Sequence, residues 1–203
     1  MRGTRLFVSS TPQSKVRTPN VSWSEKCIDG VNGVLVIFSK LVILTRDREW
    51  IESIRRAHDP QYAIVAPHFT FVFPFTGITV EETLAHARSI ADATPPLAFR
   101  LSQATTVDDP LSSSSQLFLM PSDGAREMQA LHARLYSGIL ASKLNPTVPF
   151  QPHVTVGTFK HRKNADGAAA SLPHVDIQGA LNALLLAEFD GRRVTELHRL
   201  SFR

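Results

Sequence analysis

Two of the eight histidines in this 203-residue sequence share one setting: proline immediately before, an apolar residue after, and threonine two positions on. They are His68 in Pro67-His-Phe-Thr-Phe and His153 in Pro152-His-Val-Thr-Val, which pairs them with Thr70 and Thr155. At ordinary abundances of proline and threonine, such a coincidence is on the order of one in a thousand. Two imidazoles facing each other suit cleavage of a phosphodiester. One neutral ring removes a proton from water or a hydroxyl, and the other, protonated, donates to the departing oxygen. Histidine serves both roles near neutral pH. Threonine hydroxyls can hydrogen-bond the non-bridging oxygens and stabilise charge as it builds there. The scheme needs no metal and no cofactor, and none is expected. The plain alternative is that two histidines happen to open strands whose threonines serve β-propensity alone.

Other chemistries lack their motifs. His58-Asp59 and His174-Val-Asp176 have neither the H-E-x-x-H nor the cysteine-pair spacing of a metal site. The sequence contains no G-x-S-x-G, no P-loop and no G-x-G-x-x-G. His86, His132 and His198 sit beside charged positions and are expected at the surface. Single Cys27 allows no internal disulfide, which points to a reducing compartment such as the cytoplasm.

Both motifs need strands to hold them. Side chains alternate faces along a strand, so His68 and Thr70 point one way while Phe69, Phe71, Phe73 and Phe75 point to the buried side. Strands are expected at Val34–Phe38, Leu41–Leu44, His68–Phe75, Leu97–Leu101, Gln116–Met120, His153–Phe159, Leu181–Phe189 and Arg193–Phe202. The last two should be joined by a hairpin at Asp190-Gly191. Helices are expected from an Asp47 cap through Ala57, from the capping box Thr79-Val-Glu-Glu82 to Ala91, over residues 123–141, and from Asn164 or Asp166 to Leu172. Each motif histidine follows a helix by about a dozen residues and precedes a candidate N-cap, Thr79 or Asn164, by about eleven. This matched order predicts an α+β, pseudo-twofold fold in which both His-Thr pairs face one groove.

Four further residues are candidate substrate contacts. Tyr62 and Phe150 lie in loops and could stack a base. Lys160 and Arg162, with His161 between them, either reach phosphate or form a solvated loop.

The net charge of +4 is misleading as a nucleic-acid signal. Arg2, Arg5, Lys15, Arg17 and Lys26 against Glu25 account for all of it, so residues 27–203 are neutral. Residues 1–30 therefore read as a basic, disordered extension or an organellar targeting segment, and residues 31–203 as one domain. A neutral domain favours a small substrate over a long polyanion. No apolar run approaches the roughly 20 residues of a membrane span, and a monomer is expected.

Pro67-His-Phe-Thr-Phe-Val-Phe-Pro-Phe75 and Pro149-Phe-Gln-Pro-His-Val-Thr-Val-Gly157 resemble the paired signatures of the two-histidine (2H) phosphoesterase superfamily, in its 2′,5′ RNA ligase-like branch. The resemblance extends over most of residues 31–203. It implies a bilobal fold with two antiparallel sheets lining a central groove and helices outside, with His68 and His153 as acid and base and Thr70 and Thr155 as phosphate ligands. It also implies action on a 2′,3′-cyclic phosphate, a 2′,5′-linked nucleotide or an RNA end, by hydrolysis or, in reverse, by ligation. A binding module without turnover is the alternative. Many relatives carry a basic residue just after the second motif, where this chain has Gly157.

Overall fold

The computed structural model describes residues 33–109 and 112–203. The basic extension and Cys27 lie outside the described residues. Strand β1 (Val34–Lys40) is almost uniformly apolar because both of its faces are covered. Leu35 and Ile37 enter the main core, whereas Val36 and Phe38 join Val65, Leu185 and Ala187 in a second cluster on the opposite face. After buried Leu41 the two-residue β2 (Val42–Ile43) leads into α1 (Thr45–His58). Leu44, not Asp47, occupies the N-cap; Asp47 lies in the first turn, where its charge still complements the helix dipole. Strand β3 (His68–Phe75) follows, then α2 (Val80–Ala91), whose Thr79–Glu82 capping box is complete.

The middle of the chain forms β4 (Leu97–Asp108), β5 (Ser115–Asp123), α3 (Ala125–Leu135), a 3-10 segment (Gly138–Lys143), β6 (Val154–Phe159) and α4 (Arg162–Ser171). The helix expected over 123–141 breaks after Leu135. Gly138 takes a positive φ of 55° there, which turns the 3-10 segment so that Leu140 is buried while Ile139 stays exposed. Helix α4 begins at Arg162, with His161 rather than Asn164 or Asp166 at its N-cap. The apolar run expected as one strand at Leu181–Phe189 is divided between β7 (Ile177–Leu181) and β8 (Ala183–Phe189), with β9 (Val194–Ser201) after the predicted hairpin.

Two antiparallel sheets result, ordered β3-β1-β8-β9 and β2-β7-β4-β5-β6. The chain passes between them four times: at Leu41, through α1, through α2, and at Asn182. Strand β2 joins β4–β7 in the second sheet although β3, which follows it, belongs to the first; each sheet receives one motif strand, and each motif strand is an edge. One apolar cluster joins the core faces of both sheets to the helices, with Phe69, Phe71, Leu117, Leu119, Val154 and Val156 all fully buried in it. Helices α2 and α3 pack on the first sheet, α4 on the second, and α1 along β6. The expected α+β fold, with two antiparallel sheets and helices outside, is the fold observed.

Candidate functional site

The two motifs are built alike. His68 opens β3 and His153 immediately precedes β6. Thr70 is paired across the sheet with Phe38, and Thr155 with Phe118. In each case that phenylalanine packs the motif histidine: Phe38 meets His68 at 5.0 Å and 63°, and Phe118 stacks on His153 at 3.7 Å and 20°. A β-bulge follows each threonine, at Phe71 in β3 and at Val156 in β6. Bulges re-aim side chains and sharpen local twist.

Those bulges also overturn one expectation. Strict alternation predicts Phe73 to be buried, but the irregular register makes Phe71 and Val72 both core residues and leaves Phe73 42% exposed.

The prolines have a specific part. A proline pushes the residue before it to extended backbone, which presents that residue's carbonyl to the histidine that follows. His68 Nδ1 lies 2.9 Å from Ala66 O and His153 Nδ1 2.7 Å from Gln151 O. A carbonyl only accepts, so Nδ1 carries the proton in both rings and Nε2 is the basic nitrogen. Among the described residues no hydrogen bond engages either threonine hydroxyl, so both are available to a ligand.

Both rings are half-buried, and desolvation lowers the pKa of each to about 4, against the carbonyl bond that raises it. For His68 the charges of Arg55, His153 and Lys40 lower it further. Strands β3 and β6 approach each other, which brings the charge of His153 to bear on His68. Lys40 is paired with His68 across the sheet and carries an ion pair to Glu196 on β9.

Two devices outside the motifs hold β3 in place. The first is Arg55 of α1, only 1% exposed, whose Nε bonds Asp59 at 2.8 Å and whose other nitrogens reach Glu52 and the carbonyls of Gln61 and Val65. These bonds fasten the segment that delivers Ala66, Pro67 and His68. The second satisfies the free edge of β3. His132 Nδ1 donates to Phe71 O at 2.8 Å, and Phe73 N donates to Tyr136 Oη at 3.0 Å, so α3 supplies the partners a neighbouring strand would. His132 is thus a buried histidine, not a surface one, and burial lowers its pKa. Tyr136→Phe is expected to leave the Phe73 amide without its partner and to cost about 1–2 kcal/mol in chemical denaturation. An unchanged midpoint would show that water replaces the hydroxyl.

The lesser candidates fare differently. Phe150 has one ring face covered by His132, stacked at 3.8 Å and 2°, which fixes it as a link between α3 and the approach to the second motif instead of an open base platform. The Tyr62 hydroxyl accepts from Arg56 Nε and Nη2, so that residue is engaged beside α1. Arg162 is held by Asp108, Asp166 and the carbonyl of Thr106, which makes it a tether between α4 and β4. Lys160 is exposed and lines a cavity with Arg56 and His58. Gly157 admits no side chain: a Cβ there would lie 2.7 Å from Phe159 and 3.1 Å from His58 Cβ. No group of three or more His, Cys, Asp or Glu side chains suited to a metal occurs among the described residues, and no described helix is long and apolar enough to cross a membrane.

Phe118, Phe38, Lys40 and His132 carry no motif. Only register and tertiary packing bring them to the histidines. The Arg55–Asp59 pair has i, i+4 spacing, the one such signal a sequence pattern offers for these partners.

Comparison with known proteins bears on family and fold. The sequence profile described as 2'-5' RNA ligase superfamily matches residues 44–200. Candidate phosphoesterases of Geobacillus kaustophilus and Bacillus licheniformis are 31% and 28% identical to this chain, covering 55% and 51% of it. The chain spans about three fifths of the length of these curated relatives, 62% and 59%. Among solved structures, apo E. coli LigT superposes with a TM-score of 0.57 at 21% identity, over 85% of this chain and 99% of that one. E. coli LigT complexed with 3'-AMP gives 0.57 at 22%, over 84% and 98%, and Kluyveromyces marxianus Usb1 gives 0.55 at 13%, over 84% and 99%. At these identities the structural likeness is one of fold.

Proposed function

Since the chain belongs to the 2'-5' RNA ligase superfamily of two-histidine phosphoesterases, we propose that it is a metal-independent phosphodiesterase that opens a 2′,3′-cyclic or 2′,5′ phosphodiester of a nucleotide or RNA end. The observation that carries this reading is the matched pair of rings, each locked through Nδ1 to the carbonyl two residues back and each followed two residues on by a threonine. E. coli LigT, of the same fold, has been solved with 3'-AMP, a nucleotide of the size this reading requires.

The roles divide by surroundings. A bound phosphodiester anion raises the pKa of both rings and draws in one proton. His153 lies flat on Phe118, and an aromatic face favours a cation. His68 sits beside Lys40 and Arg55, whose charges oppose its protonation. His153 is therefore the general acid and His68 the base. His68 Nε2 takes the proton of the attacking water as its oxygen bonds to phosphorus. His153 Nε2–H protonates the 2′ or 3′ oxygen as its bond to phosphorus breaks, and Thr70 and Thr155 hold the non-bridging oxygens.

The pH dependence tests this. In the free protein both rings titrate near 4, so above that pH the singly protonated form declines about tenfold per unit. The expected kcat/KM on a 2′,3′-cyclic nucleotide therefore rises as pH falls from 8 toward 5, with full activity in chelator. The kcat profile, which reports the complex, is displaced to higher pH. Activity abolished by chelator, or binding of cyclic nucleotides without turnover at any pH, would overturn the proposal, the second result in favour of a binding module.

A further inference from the structure

Beyond Thr155, strand β6 runs into a cavity of about 440 Å³ lined by Arg56 and His58 from the last turn of α1 and by Thr158, Phe159 and Lys160. Among the described residues, Arg56, His58 and Lys160 form no ion pair with a carboxylate. Arg56 is oriented by the Tyr62 hydroxyl and stands 5.4 Å from that ring's centroid. The one acidic residue lining the cavity, Asp59, is buried and committed to Arg55. The cavity thus concentrates unpaired positive charge within a domain whose net charge is zero. Arg56 and His58 also complement the dipole at the end of α1. Lys160 belongs to another element, and its convergence on them is what the dipole leaves unexplained.

The cavity also has a fixed relation to the first site. Thr158 is paired with Gln116, two positions along β5 from Phe118, the partner of Thr155, so both threonines share one face of the sheet. At about 3.3 Å per residue, Thr158 lies roughly 7–10 Å along β6 from Thr155. Gly157, which faces the other side of the strand, lets His58 close against β6 from that side. Resting on the function proposed above, we infer that Arg56, His58 and Lys160 form a second phosphate subsite, which receives the phosphate one nucleotide removed from the reacting one. Arginine and lysine are the side chains suited to phosphate oxygens. The preferred substrate is then a short oligonucleotide end, not a mononucleotide.

The test compares a 2′,3′-cyclic mononucleotide without a 5′-phosphate with a dinucleotide ending in a 2′,3′-cyclic phosphate, whose internucleotide phosphate is the one the subsite would hold. In the Arg56→Ala/Lys160→Ala variant, the ratio of kcat/KM for the dinucleotide to that for the mononucleotide is expected to fall tenfold or more, chiefly through KM, with Lys160→Arg retaining it. The salt slope of dinucleotide KM should fall by about 1–2. An unchanged ratio would overturn the subsite. Equilibrium binding of a 2′,3′-cyclic mononucleotide with and without a 5′-phosphate, the phosphate one nucleotide removed from the reacting one, separates the two proposals. Preference for the phosphorylated form, lost in the variant, upholds the subsite even where no cyclic phosphate is turned over. Equal binding in the wild type refutes it whatever the activity.

Discussion

His68→Ala and His153→Ala are each expected to lower kcat on a cyclic phosphate by about 10²–10⁴, the range that one acid or base contributes. Since the rings act as a unit, the double substitution should cost little more than either alone. The leaving group distinguishes the two. A diester of a nitrophenol departs without protonation, so it should restore much of the loss in His153→Ala and little in His68→Ala. Equal rescue would remove the assignment of His153 as acid and His68 as base. Stability moves oppositely to activity. Each ring titrates near 4 when folded and near 6.5 when unfolded, so between those values the unfolded chain binds more protons and stability falls as pH drops. Either alanine variant should therefore lose less stability than the wild type between pH 6.5 and 4, read as the shift in urea midpoint.

Arg55→Ala should be the most damaging substitution for the fold. It strands buried Asp59, 8% exposed, and the carbonyl of Val65, and breaking a buried pair in this way costs about 3–5 kcal/mol. For a chain of this size the melting temperature should fall by on the order of 10 °C. The companion Arg55→Met/Asp59→Leu, which removes both charges, should recover a large part of that loss. A double variant as unstable as the single one would place the cost in the carbonyl bonds and not in the ion pair. Activity in the double variant should remain depressed through kcat, because the segment that presents Ala66 to His68 has lost its fastening.

The motifs were legible because their chemistry is local. Histidine, threonine and the preceding proline lie within four residues, and the same few positions hold the carbonyl that locks the ring. The Thr79 capping box and the Asp190-Gly191 hairpin were legible for the same reason. What was hidden is non-local. Phe73 was misplaced because a bulge is a property of two strands in register, and the alternation of one strand does not reveal it. His132 looked like a helix-surface histidine beside arginine, yet it serves a strand 61 residues away. The exact eleven-residue recurrence did not hold either, since α4 begins earlier after its motif than α2 does. The deeper repetition, a phenylalanine opposite each threonine and a bulge just past it, lies in the pairing of strands.

The near-identity of the two ring locks has a consequence for direction. A catalyst whose donor and acceptor are the same group, held the same way, can run in either direction, its surroundings deciding only which ring starts charged. Under the proposed mechanism each ring, having finished one passage, is left in the state that begins the reverse passage: His68 charged, His153 neutral. Whether a diester is opened or a hydroxyl is joined to a cyclic phosphate is then decided by what fills the groove, water or a second nucleotide end, and by their concentrations. The protein sets the rate at which that balance is reached and leaves the balance itself to its surroundings.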